Sequence, residues 1–178
     1  MAAALLQRHL AGSRPGVCVS SAGLLRGGHR ATGHAQAAMA ARGLDLSTHR
    51  SRTLDRAILA AADLVIGMTR EHVREVVALD RAAIARAFTL RELERNAIQT
   101  GPRRVDEPME EWLARVGVGR KPGALVGVGY DDAYDIADPV GHGRADYEAT
   151  ASELDRLLGA FVEVAWPLGD RHGRERSA

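Results

Sequence analysis

Cysteine and lysine are almost missing from this sequence. Its 178 residues hold one cysteine, Cys18, and one lysine, Lys121. A single thiol excludes a disulfide within the chain and any cysteine-based zinc site. The histidines (His9, His29, His34, His49, His72, His142 and His172) are dispersed, with no H-x-x-x-H spacing, so no metal and no cofactor is expected. No apolar run approaches the roughly 20 residues needed to cross a bilayer. The formal net charge is +1, which gives no electrostatic case for nucleic acid or a membrane surface. A cytoplasmic protein is the default expectation. Acidic residues are absent before Asp45, while Arg8, Arg14, Arg26, Arg30 and Arg42 are scattered among Ala and Ser. That is the composition of a mitochondrial transit peptide, yet the same stretch carries the patterning of an ordered domain. A secretory signal is expected still less: Met1 to Leu6 has no basic segment before it, and Gln7-Arg8-His9 cuts the apolar run short.

What is present reads as one domain over residues 1–166, with a loose polar tail over 167–178. Ala2, Ala3, Leu6 and Leu10 at helical spacing predict a first helix, with Gly12 as its stop. Gly16 to Ser21 is a short β-branched run between Pro15 and Gly23, which predicts a strand. An Ala-rich helix is expected over His34–Arg42, closed by Gly43, then a polar crossing and a helix over Leu54–Ala62. Leu64 to Met68 is the most strand-like run in the chain, and Thr69 is placed to cap a helix reaching Leu79. A strand over Ile84–Phe88 and a helix over Leu90–Ala97 follow, then a helix over Glu107–Val116. Strands alternating with helices at these lengths predict an α/β fold, a three-layer domain with a parallel β-sheet flanked by helices. The glycines between Gly117 and Gly129 do not make a nucleotide loop: no Gly-Lys-Ser/Thr occurs, and a helix precedes them. Arg120 and Lys121 are candidates for positive charge near the loop described next. A final helix runs from about Ala145 to Val164, with Leu154, Leu157, Leu158, Phe161 and Val162 on its apolar side.

Just before that helix stands Asp135-Ile136-Ala137-Asp138-Pro139-Val140-Gly141. Proline fixes its own φ and drives Asp138 away from helical geometry, so the carboxylate is presented from an extended, rigid loop. A carboxylate held in this way suits a general acid, which must wait at a set distance from a leaving group.

The loop resembles the general-acid loop of the low-molecular-weight protein tyrosine phosphatases, and four other stretches resemble that family in the same order. Met1 to Leu6 is similar to the start of its first helix, and Val19-Ser20-Ser21-Ala22-Gly23 to its strand ending in Ser-Ala-Gly. Gly43 to Arg52 fits the Gly-x-Asp-x-Ser-x-His-x-x-Arg crossing, and Ala62 to Met68 its third strand. The resemblance implies a two-step reaction in which a Cys thiolate attacks phosphorus, an Asp protonates the leaving oxygen, and water hydrolyses the cysteinyl phosphate. By it, Asp138 is the acid, and Ser21 and His49 hydrogen-bond to the phosphate loop from behind. The implied partners are a phosphotyrosine protein or a small aryl phosphate.

The family's Cys-x5-Arg phosphate loop, where backbone N–H groups and a helix dipole hold the dianion, is not among these residues. Cys18 does not replace it: Leu24 stands six positions on, and a buried hydrophobic role inside a strand is expected. No nucleophile is therefore assigned, and the chain as it stands is expected to be inactive. Two readings follow. Either Met1 is a mis-assigned start and the strand and loop precede it, or the chain is a non-catalytic relative that binds through the surface around Asp138 and Arg50/Arg52. In the family the lacking strand is interior; without it its two neighbours must pair directly or leave their edges open. The residue after Asp-Pro is Val140 where the family has an aromatic, which leaves tyrosine selectivity open. A thioredoxin-linked arsenate reductase shares the fold but needs resolving cysteines that Cys18 alone cannot supply.

Overall fold

A computed structural model describes residues 1–11, 16–120 and 132–167. The expectations for Gly12, Lys121, most of the glycine-rich loop and the polar tail lie outside these residues. Helix α1 (Ala2–Leu10) opens the chain, followed by α2 (Gly33–Ala40) and the short α3 (Arg56–Ala60). Strand β1 (Val65–Gly67), helix α4 (Arg70–Leu79), a 3₁₀ turn (Arg81–Ala85) and strand β2 (Ala87–Thr89) form the central crossover. Helices α5 (Leu90–Thr100) and α6 (Met109–Val116), a 3₁₀ turn (Asp132–Tyr134) and α7 (Arg144–Ala165) complete it. Four of the helices begin on the short polar side chains that compete for free N–H groups: Thr32, Asp55, Thr69 and Thr89 each accept from a first-turn amide.

The two strands run parallel, with Val65 opposite Ala87, Ile66 opposite Phe88 and Gly67 opposite Thr89. Side chains alternate across a strand, and here the alternation sorts the helices into layers. Val65 and Ala87 face Leu59, Val73 and Val76 of α3 and α4. Ile66 and Phe88 face the opposite way, into the packing of α1, α5, α6 and α7. A parallel sheet with helices on both faces is the result. Phe161 of α7 is fully buried, its ring 6.1 Å from Trp112 and 5.8 Å, edge-on, from Trp166. A polar seam binds α1 to α7: Arg8 and His9 both reach Asp155, at 2.5 and 2.7 Å. Burial raises the Asp155 carboxyl, but its bonds to Arg8 and His9 prevail and hold it below its usual range.

Two sequence expectations fail. The segment Val17–Ala22 is not a strand but open coil, and Cys18 is exposed rather than buried. β-branched composition favours a pleated surface only where a neighbouring strand supplies hydrogen bonds. Among the described residues the segment makes no ladder contact, and the isolated bridge from Gly23 to Thr53 begins only beyond its end. Nor does it close on β1, which pairs with β2 alone among these residues. The second strand also sits later than expected. Arg81–Ala85 winds into a 3₁₀ turn because Asp80 caps it through the amide of Ala82, and pairing starts only at Ala87.

Candidate active site

Asp138 is carried by a loop that is fastened at its start. The carboxylate of Asp135 accepts the backbone N–H of Arg70 at 2.8 Å, at the first residue of α4. One residue on, the N–H of Ile136 donates to the carbonyl of Met68 at 2.9 Å, and the Ile136 side chain is buried. These two bonds seat the loop on the carboxyl end of β1, the end where open α/β sheets place their ligands. Pro139 is buried while Asp138 and Val140 remain exposed. Among the described residues, the Asp138 carboxylate accepts only the Val140 N–H two residues on, at 3.0 Å, and the side chain is exposed. Gly141 then turns the chain at φ +86°, a conformation that side-chain-bearing residues rarely adopt.

The end of β1 has one more constraint, which no sequence motif announced. The N–H of Met68 donates to Nδ1 of His72 at 3.2 Å. An accepting Nδ1 leaves the proton of a neutral imidazole on Nε2. Asp135 was equally silent in the sequence, because its partner lies 65 positions away.

Ser21 and His49 come from a second loop system. The carbonyl of Ser21 accepts Nε and Nη2 of Arg52 at 3.3 and 3.2 Å, and Gly23 exchanges backbone bonds with Arg52 and Leu54. The crossing's Asp45 accepts both the amide and the hydroxyl of Ser47, and those bonds, the amide's first, hold its carboxyl below the usual range. His49 is half-buried, its amide bonded to Leu46. Leu46 and Ile136 belong to one buried cluster, so both loops rest on the same apolar floor. Among the described residues, Asp138, Ser21 and His49 share no hydrogen bond, and neither the Ser21 hydroxyl nor the His49 ring has a partner.

Arg120 does not serve the Asp138 loop. It pairs with Glu92 at 2.8 Å, donates to the carbonyls of Ile84 and Ala87, and lies 4.0 Å over the Phe88 ring. Its charge is thereby spent on β2 and α5. A cleft of about 370 Å³ opens there between Arg70, Thr89, Arg95, Arg120 and Tyr134, and none of the three candidate residues lines it.

Residues 1–113 match the family model of low molecular weight phosphotyrosine protein phosphatases. The chain belongs to this family. A probable low-molecular-weight protein-tyrosine-phosphatase, EpsP of Ralstonia solanacearum, is 34% identical over 117 residues, 65% of this chain and 78% of that protein. The YwlE arginine phosphatase of Geobacillus stearothermophilus superposes with a TM-score of 0.65 at 26% identity, over 91% of this chain and 80% of that one. The low-molecular-weight tyrosine phosphatase of T. tengcongensis has the same fold, at a TM-score of 0.65 and 23% identity, over 91% and 87% of the two chains. No group of three or more His, Cys, Asp or Glu side chains that could hold a metal occurs among the described residues, and no helix is long and apolar enough to cross a membrane.

Proposed function

We propose that this chain carries the acid half of a phosphomonoesterase site directed at phosphorylated protein side chains, phosphotyrosine first, with Asp138 as proton donor. The observation that supports it most is the pair of bonds from Asp135 and Ile136, which hold an otherwise free carboxylate at the carboxyl end of β1. Ser21 and His49 are read as the groups that fix the phosphate loop from behind, a role that suits their unengaged polar atoms. The relatives divide by name between tyrosine and arginine phosphatases, and Val140, aliphatic and 63% exposed, offers no ring to flank a phenol.

The nucleophile is not in these 178 residues. Cys18 lies on exposed coil, at no helix N-terminus and with Leu24 rather than arginine six positions on, and so does not match the thiol of a Cys-x5-Arg phosphate loop. Loss of a nucleophile costs about six decades of rate in enzymes where it has been removed, roughly 8 kcal/mol of transition-state stabilisation. Asp138 cannot supply that. The 178 residues alone are therefore expected to leave para-nitrophenyl phosphate untouched. A strand and Cys-x5-Arg loop joined ahead of Met1 should restore turnover that collapses in Asp138→Asn. Turnover by the 178 residues that survives Asp138→Asn would overturn the assignment. An inert extended chain would favour the second reading, a non-catalytic relative that binds through Asp138, Arg50 and Arg52. That reading draws its support from the exposure of all three side chains.

A further inference from the structure

The chain's early stretch without acidic residues acquires a spatial meaning once folded. Residues 23–30 run alongside residues 50–54: Gly28 N–H donates to the Ser51 carbonyl, Ser51 N–H to the His29 carbonyl, and Gly27 N–H to the Thr53 hydroxyl. This pairing sets Arg30 directly opposite Arg50 in an antiparallel bridge. Side chains of directly opposed residues share a face, and like charges there repel. Arg52 follows two positions on, and Arg26 stands at the near end of the same loop. All four are exposed, and none has a carboxylate partner among the described residues. The contacts that Arg50 and Arg52 do make are to carbonyl oxygens of Ser47, His49 and Ser21, which leave the charge uncompensated. The one acidic residue between positions 16 and 54, Asp45, is committed to Ser47. Beside the cations, Leu25 is 84% exposed and Leu24 is 39% exposed.

We propose that Arg26, Arg30 and Arg50, with Leu24 and Leu25, form a docking surface for an acidic polypeptide segment that carries an apolar side chain. A folded chain that opposes two arginines without an anion gives up stability, and an arriving carboxylate pair removes the repulsion and gains two forked guanidinium partners. The exposed leucines precede Arg26 on the same loop, and the Leu25 carbonyl accepts the Thr53 hydroxyl at the far end of the pairing. This fits a peptide whose apolar side chain is set apart from its acidic pair. A nucleic acid fits less well. No Phe, Tyr or Trp occurs between positions 16 and 60 on which a base could stack, and the overall charge of +1 supplies no wider field. A bilayer would need more buried apolar surface than two leucines provide. The proposal goes beyond the hydrolase reading and stands whether or not the chain turns over substrate.

The test is fluorescence anisotropy of a short fluorescein-labelled Glu/Asp-rich peptide carrying one leucine, titrated with the whole chain. Saturable binding is expected, weakening about tenfold between roughly 50 and 200 mM salt because exposed charges are screened over that range. The Arg30→Gln/Arg50→Gln variant should lose at least about tenfold in affinity while melting no lower than the parent, since the repulsion is gone. Arg26→Gln, beyond the opposed pair, should lose about threefold with its melting unchanged. Salt-indifferent binding, or double-variant affinity within about twofold of the parent, would overturn the proposal. So would capture of oligo-dT or of phosphatidylserine vesicles in preference to the peptide.

Discussion

Asp135 and Asp138 stand three positions apart in one loop, yet the structure gives them opposite duties, and that difference can be measured. Replacing Asp135 by alanine removes the acceptor of the Arg70 N–H at the start of α4. That amide is among the four that no helix can satisfy internally. A carboxylate there also meets the positive end of the helix dipole. Loss of such a bond costs about 1–2 kcal/mol; Thr69, which still accepts from His72, keeps the loss from being larger. Urea unfolding with a slope of about 2–3 kcal/mol/M should then show the midpoint falling by about 0.5 M. Asp135→Asn keeps an acceptor oxygen without the charge and should recover roughly half of the loss. Asp138→Ala removes a carboxylate that, among the described residues, is bonded only to Val140 N–H, so its stability should stay within about 0.5 kcal/mol of the parent, a midpoint shift of about 0.2 M or less. An Asp135→Ala midpoint equal to the parent's, or an Asp138→Ala midpoint falling as far, would refute the claim that one residue seats the loop and leaves the other free.

Phe161→Ala should cost about 3–5 kcal/mol, because the ring is fully buried between Trp112 and Trp166; scanning calorimetry should find the melting point lower by about 10 °C or more. Glu107 gives a pH signature. Hydrogen bonds from Arg115 first, with the Arg104 amide assisting, hold its carboxyl down to about 2. A depressed carboxyl contributes its stability fully above the unfolded value near 4.5, and that contribution disappears as pH falls through about 2. Glu107→Gln should therefore narrow the stability difference between neutral and acidic solution, and parallel pH profiles for the two proteins would contradict this. Cys18, on exposed coil, should react with Ellman's reagent in the native protein as fast as in urea; protection in the native state would mean a paired strand after all.

Much of the architecture was legible because it rests on local rules. Thr69 before a helix and the strand-like run from Leu64 to Met68 act within a few residues, and so does the apolar stripe from Leu154 to Val162. The Asp138 loop was visible for the same reason: proline restricts its neighbour whatever surrounds it. The Val17–Ala22 segment misled because strand formation depends on a partner that no local window contains. Arg120 misled likewise, since proximity in sequence to a glycine loop said nothing of Glu92 and Phe88.

The amino-acid order alone therefore determined which segments are helices, where the sheet's central run lies, and that a carboxylate is displayed ahead of the last helix. Only the folded chain decided that Asp135 is consumed by α4 while the Asp138 side chain is exposed, and that Arg30 faces Arg50 with no counter-charge among the described residues. Both outcomes depend on contacts between residues far apart in the chain, and geometry of that kind is fixed by packing rather than by neighbours along the backbone.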